Sequence, residues 1–490
     1  MLRDAFKGER HVKGKGSVYL PPLVSHVLDG MNKPTDKGKI AYESYLMRAV
    51  FPDYVQVGVE TLVGVLNAQP AKFQLPAKME YLLKKATNKG ESLDALLRRI
   101  HEQVLITGRV GLLGDLPARP DPKNPLPYMA LYTAESILNW DDGEAEDMAE
   151  TLNLVVLDET TNKRTGASWE RKEIYRALLL GSADANETKG VYKFGVFDGE
   201  QDFVEDQMTT AMLRGKPLDE IPFVFINAKD NLTEPDVPPL LGLGRLCYTI
   251  YRAEADYRFT LFMQGQDTLV VIGGVLDTNV NAGESLRVGA GARIDVNLGG
   301  DAKYIGVSSD GLSEQKEAIQ NDKMAAAVRT GQLLAPGKMS MESGEALKTR
   351  VAAQTATLTS VALSSAWGLE RLLRTLAKWM GEKPEEVKVV PNLDFTNVAI
   401  EGQDIVQLIT AKNLGYPISY ESLHKIAKAR GLVDTTFAEE MALIEKDPTL
   451  LMDRAEKMAV GLKGNNALEA AGGPKKTPTQ SNKTGNKPKK

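Results

Sequence analysis

The sequence predicts an α+β protein, and three observations carry that expectation. Apolar residues recur at helical three- and four-residue steps over much of the first hundred residues and again after Asp236. Between them, from about residue 108 to 227, short β-type runs are separated by acidic and Gly/Asn turns, in a meander rather than an alternating βαβ order. A very long helical pattern then runs from Glu345 to Met380, roughly 50 Å at 1.5 Å per residue.

Composition narrows the class. The chain has 490 residues, room for about three domains or one elaborated fold. Hydrophobic residues make up 42% and charged residues 26%, ordinary globular usage that excludes a wholly disordered or collagen-like chain. The net charge of −5 excludes a basic, whole-surface nucleic-acid binder but allows a basic patch or lining. Cys247 stands alone, so neither an intrachain disulfide nor a cysteine zinc site can form. His11, His26, His101 and His424 are scattered, which argues against a histidine metal centre. No eighteen-residue apolar run occurs, so no membrane span is expected. The start, MLRDAFKGERHVKGKG, is charged and does not read as a secretion signal.

In chain order, residues 1–19 are polar and Lys/Gly-rich and predict a flexible arm. Tyr45, Leu46, Val50, Val57, Leu62, Val65 and Leu66 predict helices interrupted near Pro52. A helix is expected over about 79–106, with Leu93, Leu96, Leu97, Ile100, Val104 and Leu105 on one side and Gly108 closing it. GRVGLLGD, PYMALY, ILNWDD, TLNLVVLDE, ERKEIYRALLL, GVYKFGVFD and IPFVFIN are the expected strands. Asp236, ahead of Pro238 and Pro239, predicts the cap of a helix reaching Gly265. TLVVIGG is a short strand, and 273–309 reads as small strands and turns. Ser313 predicts the cap of an Ala-rich helix through Arg329. After the long helix come a strand at 387–395 and short helices near 403–413, 420–430 and 435–446. Residues 461–490 form a disordered basic tail by composition.

No catalytic constellation emerges. His101-Glu102 opens an HExxH, but Leu105 replaces the second histidine, leaving a helix-surface or interface histidine as the better reading. Gly331–Met339 ends in Gly337-Lys338, yet Gln332 and Met339 occupy positions a phosphate loop needs for Gly and Ser/Thr. Asp277, Asn279 and Asn281 alternate like a calcium loop, but Val288 stands where the bidentate Glu is required. Gly289 and Gly291 lack the rest of a dinucleotide fingerprint, and no GxSxG is present. No enzyme, cofactor or metal is expected.

The unusual feature is architectural: helix, β insert, helix, loop, very long helix. The second helix is too Ala-rich to be well buried alone. Either it packs on the chain's own body, or it packs beside copies of itself in a ring with heterologous contacts; periodicity leaves both open.

Several stretches, in their order, resemble a family of portal proteins of tailed bacteriophages. They include YLP at 19–21, YESYLMRAVF at 42–51, TLVGVLNAQP at 61–70, PYMALYTAESILNW at 127–140 and IPFVFIN at 221–227. PPLLGLGRLCYTIYRAEADYRFTLF at 238–262, TATLTSVALSSAWGLERLLRTLAKWMG at 355–381 and NLGYPISYESLHKIAKARGLV at 413–433 follow. The resemblance implies a portal-type fold in a ring, usually of twelve copies, at one capsid vertex. Residues 20–235 would form an α/β wing, 236–267 the first stem helix, 268–309 a small β-containing clip, and 310–331 the second stem helix. Residues 332–344 would be a tunnel loop, 345–399 the long wing helix and strand, and 400–460 a helical crown. The clip is short and the N-terminal arm abbreviated for that family.

The implied partners are other copies of the chain, double-stranded DNA, the terminase large subunit, a head–tail adaptor, and capsid and scaffolding proteins. The implied place is the virion, with assembly in the host cytoplasm. A conduit must let a duplex slide, and many phosphate contacts would brake it. Lys338 with Met339 on the loop is the first DNA-facing candidate, followed by Lys316, Lys323 and Arg329 on the second stem helix and Arg287 and Arg293 in the clip. The competing readings are a minor head or adaptor protein without a channel, and a packaging NTPase or nuclease.

Overall fold

In the computed structural model, residues 1–117, 126–142, 152–182, 190–199, 207–213, 216–265, 268–273, 298–305, 311–330, 344–393, 395, 409–410, 412, 414, 416–429 and 433–446 are described. They divide into a unit spanning Met1–Phe395 and a second spanning Thr396–Lys490.

The first unit opens with α1 (Leu2–Phe6) and α2 (Glu9–Gly14), a short 3-10 turn over Gly16–Val18, then α3 (Val24–Leu28), α4 (Lys37–Arg48) and α5 (Tyr54–Leu66). The flexible arm expected over 1–19 is therefore a packed element. Leu2, Ala5 and Val12 are buried, and α1 lies against α5. The Arg3 guanidinium grips Glu135 through two bonds of 2.6 and 2.8 Å. Three small apolar residues suffice to anchor an otherwise charged segment, and a composition average hides them.

Next come β1 (Lys72–Gln74), α6 (Tyr81–Lys84) and α7 (Leu93–Thr107). The single helix expected over 79–106 is split, because Gly90 turns at φ 85° and Ser92 starts a new helix, its Oγ accepting the Ala95 N–H at 3.2 Å. The six apolar residues predicted to share one side of α7 are all buried. Gly108, at φ 78°, closes the helix as expected, its N–H donating to the Val104 carbonyl.

The strands follow: β2 (Arg109–Asp115), β3 (Tyr128–Thr133), β4 (Ile137–Asp141), β5 (Leu154–Asp158), β6 (Thr161–Thr165), β7 (Ser168–Lys172), β8 (Ile174–Ser182) and β9 (Gly190–Asp198). Short β10 (Thr209–Thr210), β11 (Met212–Leu213) and β12 (Lys216–Pro217) lead to β13 (Phe223–Asn227). One sheet has the order β13-β2-β3 and a second β10-β9-β8-β5-β4, each antiparallel. Period-two alternation sorts the side chains of the first sheet. Val110, Leu112, Val224 and Ile226 join the helical core, while Leu113, Phe223 and Phe225 face a separate core between the sheets.

α8 (Leu241–Gln264), β14 (Thr268–Ile272), β15 (Asp301–Ile305), α9 (Leu312–Arg329), α10 (Gly344–Met380) and β16 (Lys388–Val390) complete the unit. α8 starts at Leu241, later than Asp236 predicts, because the Asp236 carboxylate accepts the Lys229 N–H instead. Gly311, at φ 87°, precedes α9; Ser313 lies inside its first turn and donates to Glu314 rather than capping. In α10, Leu358, Val361, Leu369, Leu372, Leu373 and Leu376 are buried, packed on α7 and β13. Ser364 Oγ lies within hydrogen-bond distance of the Asn227 and Asp230 carbonyls, letting the helix approach the sheet closely.

In the second unit, helices span Tyr420–Ala429 and Phe437–Lys446. Thr436 and Glu439 form a reciprocal cap on the latter. The expected helix near 403–413 and the tail after 461 lie wholly or mostly outside the described residues.

Candidate functional site

α8 carries the chain away from the body and α9 brings it back. Lys323 meets Glu254 and Arg329 meets Gly242, so rising numbers on α9 match falling numbers on α8 and the pair is antiparallel. Between them β14 and β15 form an antiparallel ribbon, with Thr268 opposite Ile305 and Ile272 opposite Asp301.

Burial is uneven along the pair. Leu243, Gly244, Cys247, Tyr248, Ile250, Tyr251, Glu254 and Ala255 are buried, and no residue of α8 beyond Ala255 is. Within the eighteen residues of α9 only Ile319 and Ala326 are buried. An isolated helix of that length is marginal in water, and this one supplies little apolar face of its own.

Glu254 joins the two helices. Its carboxylate accepts from Lys323 Nζ at 2.5 Å and Arg258 Nε at 3.0 Å. Burial alone would raise this carboxyl, but the bonds and charges of Lys323 and Arg258 outweigh it and hold it below the ordinary range. Two residues on, Asp256 accepts the Tyr45 hydroxyl of α4 at 2.5 Å. Two residues turn about 200° around a helix, so α4 and α9 flank α8 on opposite sides. Tyr45 and His26 also meet Phe259, and the Arg48 guanidinium lies 3.6 Å over Phe262.

Glu254→Gln is expected to loosen α9 at pH 7 by about 1 kcal/mol, since both cations are partly exposed and solvent screens them. The lowered carboxyl contributes stability above its unfolded pKa and loses it on acidification, so the variant should approach the parent as pH falls towards 3. Amide exchange across α9 measures this; equal exchange in both proteins at pH 7 would remove the anchoring role.

The predicted cations separate on the structure. Lys316 is exposed on α9 with no ion pair among the described residues. Lys323 is held by Glu254, and Arg329 Nη1 donates to the Gly242 carbonyl at 3.2 Å. Lys338, Met339, Arg287 and Arg293 lie outside the described residues. Beside the root of the pair is an apolar cleft of about 400 Å³, lined among others by Leu62, Leu105, Leu243, Val328 and Leu358.

Sequence reasoning missed Glu254. Its signal was an acid on the Cys247–Ile250–Tyr251 stripe, a position that demands a cation from another element. It also missed Arg109, buried between Trp140 and Phe225 at 4.5 and 4.2 Å. Burial pushes that guanidinium down to about 10 against the charges of Glu234 and Asp236. Among the described residues, no group of three or more His, Cys, Asp or Glu is arranged to hold a metal, and no helix is long and apolar enough to cross a membrane.

A family model described as a domain of unknown function (DUF4055) matches residues 239–380, from the foot of α8 to the end of α10. No curated protein matches the chain. Among solved structures, a chain from the neck of an empty GTA particle is 16% identical, with TM-score 0.40, over 83% of this chain and 98% of that one. A chain from the virion of a native gene transfer agent (GTA) particle is 14% identical, with TM-score 0.39, over 82% and 97%. A chain from the neck of the native particle is 15% identical, with TM-score 0.39, over 83% and 98%.

Proposed function

We propose that this chain is a portal-type structural subunit: copies close into a ring at one capsid vertex, and double-stranded DNA passes through the hollow during packaging and ejection. The observation that carries the reading is α9. Its outward side presents Glu314, Glu317, Asn321 and Met324 at alternating three- and four-residue steps, all exposed. That spacing forms one stripe along the helix, acidic at its start and apolar at Met324, on a helix whose own buried face is too small to hold it well alone. The sequence resemblance supplies the class of assembly, and the order helix–ribbon–helix–long helix agrees with it.

In this reading the α8–α9 pair is the stem and the ribbon the start of the clip that meets the terminase motor and, later, the head–tail adaptor. Capsid and scaffolding proteins contact the rest of the ring. Lys338, with Met339, and Lys316 are the DNA-facing side chains, whereas Lys323 and Arg329 serve the fold of the subunit. Few DNA-facing cations, on a chain of net charge −5, keep a duplex free to slide. The role involves no catalytic step, and the purified chain should not hydrolyse ATP.

Mass photometry and negative-stain imaging of the purified chain test the reading. Rings with a central perforation, usually of twelve copies in this class, are the expected result. Solitary protomers at every concentration and at physiological ionic strength would overturn it.

A further inference from the structure

We infer that the flank formed by α2, α3 and α4 is the docking surface for the outward stripe of α9 on a second copy of this chain. The inference rests on the ring reading and adds which surfaces meet. A heterologous ring needs two different, mutually complementary patches on opposite sides of one protomer. The geometry of α8 supplies the opposite sides: Glu254 faces α9, and Asp256, about 200° around the axis, faces α4. The same side as Asp256 also carries the N-terminal segment, because Tyr248 and Arg252 of α8 donate to the Met1 and Tyr19 carbonyls.

The two surfaces match in chemistry. Val24 and Leu28 on α3 are 76% and 81% exposed, and Met47 near the end of α4 is 78% exposed. Next to them, Lys13 Nζ donates to the Met47 carbonyl and ties α2 to the end of α4. There Lys7, Arg10 and Lys15 rim an open hollow of about 500 Å³ with no ion pair among the described residues. The flank thus carries exposed apolar side chains and a basic border. Its exposed acids are Asp29 at the far end of α3 and Glu43, which pairs with Lys39 on α4; the half-buried Glu9 pairs with Lys13 on α2. The α9 stripe is the reverse. Met324 is 64% exposed, and Glu314 and Glu317 continue the stripe with no cation on it. Apolar contact would supply affinity, and the opposed charges would fix partner and register. A duplex would match the basic border but leave Val24, Leu28 and Met47 in water, so a second protomer is the better occupant.

The test uses the full chain. In a Met47→Cys, Met324→Cys variant, mild oxidation should give a ladder of covalent multimers, whereas a mixture of the two single variants should stop at dimers. Cys247 is buried and should not contribute. Lys7→Glu with Arg10→Glu should raise the protomer concentration for half-assembly by about tenfold or more, as should Glu314→Lys with Glu317→Lys. Combining all four should restore assembly. Thermal melts of the isolated protomers should be unchanged, since these side chains are exposed.

Rings that form normally while giving no Met47–Met324 cross-link, and that ignore both charge reversals, would overturn this inference and leave the ring reading standing. A parent chain that never forms rings would sink both. Unchanged ring mass with weakened DNA retention in Lys7→Glu, Arg10→Glu would assign the basic border to nucleic acid and overturn it as well.

Discussion

Replacing Gly38 with alanine is expected to destabilise the first unit by about 2 kcal/mol or more, against the usual sign for such a change in a helix. Alanine would gain about 1 kcal/mol from helix propensity. Steric contact decides the balance. A Cβ at Gly38 would stand 1.9 Å from the His26 carbonyl oxygen and 2.5 Å from that of Gly30, both backbone atoms. Relief requires α3 to lift from α4, and such forced shifts cost about 1–3 kcal/mol or more. The loss is bounded by what α3 contributes, because a five-residue helix can detach without unravelling the core. A lowered urea midpoint with faster amide exchange over α3 is the expected result. Gly14→Ala, where a Cβ meets nothing within 4 Å, is the control and should be neutral. A midpoint for Gly38→Ala equal to the parent's would show that α3 is not held against this helix. If the α3–α4 flank is the docking surface inferred above, the same variant should also weaken assembly.

His101 is expected to make the protein acid-labile well above the carboxylate range. It was expected at a helix surface or interface; instead it is 1% exposed, and among the described residues neither ring nitrogen has a hydrogen-bond partner. Burial holds its pKa down at about 4, against an ordinary 6.5. Above pH 6.5 both folded and unfolded chains carry a neutral ring, and stability is full. As pH falls from 6.5 towards 4, the unfolded chain takes up a proton that the folded chain refuses, so stability is lost by up to about 3 kcal/mol. His101→Leu keeps an apolar volume and removes two unsatisfied nitrogens, so it should be neutral or stabilising at pH 7. Its advantage over the parent should widen by about 1–2 kcal/mol between pH 7 and 5. Parallel urea titrations at the two pH values measure it. A constant difference between the two proteins would refute the buried neutral ring.

Most elements were legible because their apolar periodicity is strong. The buried stripe of α7, six of the seven expected strand runs and the length of α10 follow from spacing alone; the run ERKEIYRALLL is broken at Glu173 between β7 and β8. What stayed hidden depends on tertiary neighbours. Leu2, Ala5 and Val12 form a packing face only once α5, α7 and α8 provide the other half. Asp236 reads as a helix cap until the Lys229 amide claims it. Glu254 and Lys323 lie 69 positions apart, and no local pattern links them. The candidate site was legible as an order of elements, and α9 was correctly read as short of apolar face. The side chains that hold it were not, since ion pairing between distant helices leaves no period in a sequence.

One further feature bears on how the subunit is made. β1 pairs in register with β16, Lys72 opposite Val390 and Gln74 opposite Lys388, and the Glu370 carboxylate accepts the Val389 amide beside it. The strand that completes this ribbon is among the last parts of the first unit to leave the ribosome. Contacts of such wide sequence separation form slowly. Synthesis of the whole unit therefore precedes its final closure, and each nascent subunit spends a long interval with the mate of β1 still missing.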